Sequence, residues 1–349
     1  MSSPDELASR PRRLLVRLLR GLVILTATLL GLAVIVPLLW PIPVLKNTRS
    51  AAAIAKEIAA PHARFVDLEG LPIYIEERGT HTHARPPLLL LHGFLASTFT
   101  WREIIDPLAR SGRVIAFDRP GFGLSARPLP PAGQDNFAAG HDPYSAEAQV
   151  RQTLALMDTL DIDRAILVGS QTGSTLALRV ALAAPERVAA LVLITPAITR
   201  ASTPPWLRRL LDTAQLRRIG PLLSRDLLGR SDELIDNAWY NPKRLDKRIR
   251  QGTKRTFAVD DWDRALWRHT LAYRSADDLL ARLDRLDVTT LMITGVDEQM
   301  IDSPTSEDLA EILTSAESVE ISECGDLPHE ECPAPTLAAI DAFLAHAIE

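Results

Sequence analysis

Gly169-Ser170-Gln171-Thr172-Gly173 decides how this chain folds. It follows the apolar run Ala165 to Val168 and precedes the helical stretch Thr175–Ala183, so it lies where a strand hands over to a helix. Two glycines bracket three residues. At such a junction only small residues clear the neighbouring backbone.

Working outward, the same alternation recurs. Leu88-Leu89-Leu90-Leu91, bounded by Pro86-Pro87 and His92-Gly93, suits a strand buried on both faces. Arg113–Phe117, Ala190–Ile194 and Thr290–Ile293 are further apolar runs, interleaved with helical stretches at Trp101–Ala109 and Ala146–Leu160. Strand and helix in alternation predict an α/β fold with a mostly parallel sheet flanked by helices. Phe65–Leu68 and Leu71–Ile75, separated by Glu69-Gly70, read as a β-hairpin ahead of it. Between Ile198 and Leu286 strand signals stop, and Leu, Trp and Arg recur at helical spacing, which predicts a helical cap inserted at about 198–286. No internal repeat interrupts the pattern.

Four blocks in this order resemble the α/β-hydrolase superfamily, in the capped branch that holds esterases, epoxide hydrolases, haloalkane dehalogenases and C–C bond hydrolases. They are His92-Gly93-Phe94, Asp118-Arg119-Pro120-Gly121-Phe122-Gly123-Leu124-Ser125, the Gly169–Gly173 pentapeptide, and Gly325-Asp326-Leu327-Pro328-His329-Glu330-Glu331-Cys332-Pro333. The resemblance runs from about residue 63 to the end and implies a domain over 62–349.

The resemblance also implies a catalytic triad, and here two of its three chemistries are missing. Gln171 holds the nucleophile position, where the family has Ser, Cys or Asp; an amide cannot supply the usual covalent catalysis. The late block reads G-H-x-P-H-x-E-x-P in the family, and its first His is the general base. Asp326 stands there, while His329 matches the second His of the pattern and is an alternative base only after a loop rearrangement. Family spacing puts the acid at Glu298, with Asp297 adjacent. The oxyanion hole is implied at the backbone N–H groups of Phe94 and Thr172, which side-chain replacement does not remove.

Ahead of the domain, Gly21–Leu45 contains no charged residue, enough to cross a bilayer as a helix. Trp40, with Pro37, Pro41 and Pro43, marks its far end. The tail 1–20 carries five Arg against Asp5 and Glu6, so the basic side predicts a cytoplasmic N-terminus and an extracytoplasmic domain. Residues 46–61 read as a linker or stalk helix. The uncharged run exceeds the 7–15 residues of a signal peptide's apolar region, which favours an uncleaved anchor.

The overall charge of −5, with 39 basic and 44 acidic residues, gives no nucleic-acid footprint. The eight His form no ligand pair at metal spacing, and neither metal nor cofactor is expected. Cys324 and Cys332 are read as two partly buried thiols, although an oxidising compartment would permit a disulfide. Two basic stretches lie in the cap region: Trp206 to Arg218, and Lys243 to Arg255 with seven basic residues against Asp246. A solvated face is the plain reading of both, and contact with the anchoring bilayer the sharper one. The function expected is that of a membrane-anchored hydrolase-fold protein without conventional serine-hydrolase activity, keeping a capped pocket for a small apolar ligand or a protein partner of unknown identity. An active hydrolase of an ester or related apolar substrate, using non-standard residues, is the alternative.

Overall fold

The computed structural model describes residues 4–39, 45, 47–80, 85–131, 134, 136–138, 140–198, 204–272, 277–296, 309, 311–313 and 316–347. Its centre is an eight-stranded sheet in the order β1-β2-β4-β3-β5-β6-β7-β8. β1 (Ala63–Leu68) and β2 (Leu71–Arg78) form the expected antiparallel hairpin, with Leu68 paired to Leu71 across a turn in which Asp67 Oδ1 accepts the Gly70 N–H. β2 runs antiparallel to β4 (Val114–Phe117), and from there every pairing is parallel. β3 (Leu88–Leu91) sits centrally, and each of its four leucines is fully buried, as a strand covered on both faces requires. β5 (Ala165–Ser170), β6 (Val188–Ile194) and β7 (Thr290–Gly295) continue the sheet.

Alternate strand residues feed two cores. One face packs Leu89, Leu91, Leu167, Leu191 and Leu193 against α4 (Ala146–Thr159) and α5 (Thr172–Ala183). The other packs Leu90, Val168, Val192 and Ile293 against Trp101, Ile104, Ile340 and Phe343. The stretch Trp101–Ala109 is not one helix: a 3-10 turn, Thr98–Trp101, precedes the short α3 (Ile105–Leu108). Pro107 explains the break: it lies in the first turn of α3, where its missing N–H costs nothing, whereas in a helix running on from Trp101 it would remove a hydrogen bond and crowd the carbonyl four residues back. β8 (Glu317–Ile321), not anticipated from sequence, forms the far edge, with Glu317, Ser318 and Glu320 exposed and only Ile321 buried.

The segment between β6 and β7 is helical, as expected. It comprises α6 (Pro205–Leu211), α7 (Ala214–Gly229), α8 (Ser231–Asn237), α9 (Lys247–Thr253), α10 (Trp262–Ala272) and α11 (Asp277–Leu280). α12 (Pro328–Glu331) and α13 (Pro333–Ala347) close the chain.

The N-terminal helix α1 spans Pro4–Leu39 and is longer than the uncharged run at its basic end. Leu18–Val36 is apolar enough to cross a membrane, with a mean hydropathy of 2.3 and none of it buried. Trp40, Pro41 and Pro43 lie outside the described residues. The linker contains α2 (Ala51–Ile58), capped by Ser50, whose hydroxyl accepts the Ala53 N–H. Leu45 packs into the cluster of Phe122, Trp262 and Leu266 that Leu227 of α7 also joins, so the chain leaving α1 is fastened directly to the helical insertion.

Candidate active site

The bend between β5 and α5 carries Gln171 at φ +51° and ψ −116°. For a non-glycine residue this backbone costs on the order of 1–3 kcal/mol and persists only when the surroundings over-determine it. They do. Gln171 N–H donates to Ile194 O at 2.9 Å, and its carbonyl accepts the Ser174 N–H at 3.0 Å. Gly173 presses on the central strand so closely that a Cβ there would lie 1.9 Å from the Leu91 carbonyl oxygen.

Gln171 does not project freely. A Cβ placed on Gly93 would lie 2.6 Å from Gln171 Oε1 and 3.2 Å from its Cβ, so the carboxamide lies folded against the His92-Gly93 turn. Gln171 and Thr172 are half-buried and Phe94 is exposed, so the place where the nucleophile of a hydrolase would stand is open to approach but filled by an amide.

Two buried residues brace this turn, and sequence reasoning assigned neither a role. His92 accepts the Arg119 N–H at Nε2, 3.0 Å away, so its proton sits on Nδ1, which donates to Gly93 O at 2.7 Å. Burial, with Arg119 nearby, holds its pKa well below the ordinary histidine value. The Arg119 guanidinium donates from Nη2 to Gly93 O at 3.0 Å and to Thr172 Oγ1 at 3.2 Å, and from Nη1 to Gln149 Oε1 at 3.0 Å. Burial lowers its pKa to about 10. One cation therefore ties together both peptide turns whose N–H groups, on Phe94 and Thr172, are the oxyanion-hole candidates. The only signal in sequence was its place in the Asp118–Ser125 block.

The neighbouring hydroxyls are not poised to replace a nucleophile. Thr172 Oγ1 is engaged by Arg119, and Ser170 is 1% exposed at the end of β5.

The late loop is held by a different set of bonds. Glu331, 1% exposed, accepts three backbone N–H groups: Gly325 at 3.0 Å and Tyr240 at 2.9 Å on Oε2, and Asn241 at 2.8 Å on Oε1. Asp326 is fully buried, and its N–H donates to Ala238 O at 3.0 Å. The loop is thus clamped to the insertion just beyond α8. Cys324 and Cys332 form a disulfide, with Cα atoms 6.3 Å apart, which corrects the reading of two free thiols. The approach is a consequence of the loop folding back on α12, which spacing alone does not disclose.

His329 is spent elsewhere. Its Nε2 donates to Thr100 Oγ1 at 2.9 Å, Thr100 in turn donates to Glu330, and the ring lies 4.7 Å from that of Trp101. Burial, with Arg102 adjacent, lowers its pKa to about 3. It serves as a buried neutral strut between the Thr98–Trp101 turn and α12. Glu298 and Asp297 lie outside the described residues, so of the three triad-equivalent positions the structure places Gln171 and Asp326. Among the described residues no His, Cys, Asp and Glu cluster could hold a metal ion.

A family model for the alpha/beta hydrolase fold matches residues 86–333. The chain is 31% identical over 270 residues to the 2-hydroxymuconate semialdehyde hydrolase of Pseudomonas sp. (strain CF600), covering 75% of this chain and 87% of that one. It is 25% identical to human monoacylglycerol lipase ABHD6, covering 81% of this chain and 82% of the lipase. Among solved structures, a membrane phospholipase A described as a bacterial virulence factor superposes with a TM-score of 0.63 at 23% identity, over 95% of this chain and 98% of that one.

Proposed function

The chain belongs to the alpha/beta-hydrolase-fold family, and from that premise we propose that it is a membrane-anchored member that binds rather than hydrolyses. Its ligand is a small apolar molecule, or a partner segment, held beneath the helical insertion acting as a cap. One observation carries this reading: the strained strand-to-helix bend is intact, and the side chain it presents is the carboxamide of Gln171 folded on Gly93. A carboxamide forms no acyl-enzyme. The loop that should bring an imidazole brings the Asp326 carboxyl, and the histidine that follows in that block, His329, is bonded to Thr100. The hydrolases to which the chain is similar act on dissimilar substrates, so the ligand class is drawn from the site and not from them.

The anchor reading rests on Leu18–Val36 within the continuous helix α1, far longer than a signal peptide's apolar region. The basic tail sets the N-terminus in the cytoplasm. The Cys324–Cys332 disulfide supports an oxidising, extracytoplasmic location for the domain.

Treatment of the full chain with a fluorophosphonate probe should give no site-specific label. Labelling abolished by changing a single hydroxyl residue would instead favour an active hydrolase. A constructive test pairs Gln171→Ser with Asp326→His: esterase turnover is expected in the double variant and in neither single one, because nucleophile and base act as a unit.

A further inference from the structure

The two basic stretches of the insertion fare differently in the fold. In Lys243–Arg255, Arg250 pairs with Asp232 and Asp236, Lys254 pairs with Asp232, and the Arg255 guanidinium lies 5.4 Å from the centre of the Phe99 ring. Lys243, Arg244, Lys247 and Arg248 of that stretch are exposed. In the α6–α7 pair Arg217, Arg225 and Arg230 are likewise ion-paired, with Asp212, Asp263 and Glu233, so what sets this pair apart is its apolar exposure. It carries six Arg against Asp212 and Asp226 between residues 205 and 230, and leaves Trp206 66% exposed, Leu223 57%, Leu210 48% and Leu228 39%.

Trp206 and Leu210 are four residues apart and share one face of α6. Arg209 of α6 and Arg218 of α7 are exposed as well. Large apolar side chains left in water on a soluble surface are costly, and a tryptophan among arginines is the composition that settles at the headgroup boundary of a bilayer.

Position points to the same occupant. α1 runs against α7. The span ends at Val36, and nine residues later Leu45 is lodged in the cluster shared with Leu227 of α7. Nine residues reach at most about 30 Å, so α7 stays close to the membrane surface whatever path the connection takes.

We propose that the α6–α7 face, led by Trp206 and Leu210, rests in the outer boundary of the bilayer that α1 crosses. The domain then has two membrane contacts, and the insertion that covers the site opens beside lipid. This rests on the anchor reading above and adds the orientation of the domain to it.

Brominated acyl chains quench tryptophan emission on contact, and the structure makes the measurement selective. Of the six tryptophans, Trp101, Trp239, Trp262 and Trp267 are buried and Trp206 is exposed. Trp40 belongs to the anchor and is removed by Trp40→Phe. The full-length Trp40→Phe chain, reconstituted in vesicles of brominated phosphatidylcholine and phosphatidylglycerol, should be quenched. Adding Trp206→Phe should lower the quenchable fraction at least twofold. Equal quenching with and without Trp206, or shielding of Trp206 by a second copy detected by crosslinking, overturns the proposal. Failure of the chain to float with the vesicles overturns the anchor reading as well, so the two failures are distinguishable.

Discussion

The bend at Gln171 and the loop at Asp326 are the two places where the proposed reading finds a reactive side chain replaced, and they keep their shapes for different reasons. The bend is fixed by exclusion. Gly173 has no room for a side chain against Leu91, and the backbone at Gln171 stays in a costly conformation because β3, β6 and α5 leave no other path. The loop is fixed by attachment, through Glu331, the Cys324–Cys332 bridge and the Asp326 N–H. Packing therefore fixes the turn that also joins strand to helix, whereas hydrogen bonds and a disulfide fix the loop.

If exclusion governs the bend, Gly173→Ala should be the most damaging single change at either place. Its new Cβ meets backbone, which cannot swing aside, and a loss of about 4 kcal/mol is expected in denaturant unfolding. A mild effect would mean that the bend is looser than its contacts imply.

At the loop the corresponding test is Glu331→Ala. It strips the acceptor from three N–H donors, those of Gly325, Tyr240 and Asn241, at a cost of about 3 kcal/mol. Hydrogen exchange should rise at those three amides and leave the β5–α5 bend unchanged. A rise at both places would merge the two regions into one cooperative unit.

A third test uses protons. His329 has a folded pKa of about 3, far below its unfolded value near 6.5, so over that interval the unfolded chain binds the extra proton. Stability is then full above about pH 6.5 and falls as the pH drops toward 3, by about 1.4 kcal/mol per pH unit for this one group. His269, lowered to about 3 by burial, acts in the same direction. Asp118, raised to about 6 by burial, acts in the opposite one, favouring the fold more as the pH falls from 6 toward 4. His329→Phe keeps a ring against Trp101 and removes one proton from the slope. Unfolding measured between pH 4.5 and 6, a window chosen at roughly one unit or more from the folded pKa of His329, should therefore be flatter in the variant.

Much of this architecture was legible because burial on both faces of a strand writes an uninterrupted apolar run: Leu88–Leu91 and Ala165–Val168 could be little else. The hairpin was marked by Glu69-Gly70, and the apolar N-terminal helix by the absence of charge. β8 was not legible, because an edge strand with three exposed polar residues has no such signature. Nor were the tethers of the site. Arg119 reaches across to Thr172, and Glu331 to Tyr240 and Asn241, through contacts between residues far apart in the chain. The disulfide needed the same knowledge of how the chain returns on itself.

The smallest expected effect is also the most specific to the proposed loss of chemistry. Gly93→Ala places a methyl against Gln171 Oε1 and Cβ, and one of these neighbours is the far end of a movable side chain. A cost of about 1.5 kcal/mol is expected, well below that of Gly173→Ala, because the carboxamide can yield and the Leu91 carbonyl cannot. In a Gln171→Ala background the same substitution should cost only about 0.5 kcal/mol, since just the Cβ contact remains. The difference is a coupling of about 1 kcal/mol in a double-mutant cycle. Coupling of that size places the carboxamide on the His92-Gly93 turn in solution. Strict additivity would mean that Gln171 swings clear of Gly93 and leaves the two N–H groups open to a ligand's oxygen, so that the bend is an empty receptor and not a filled one.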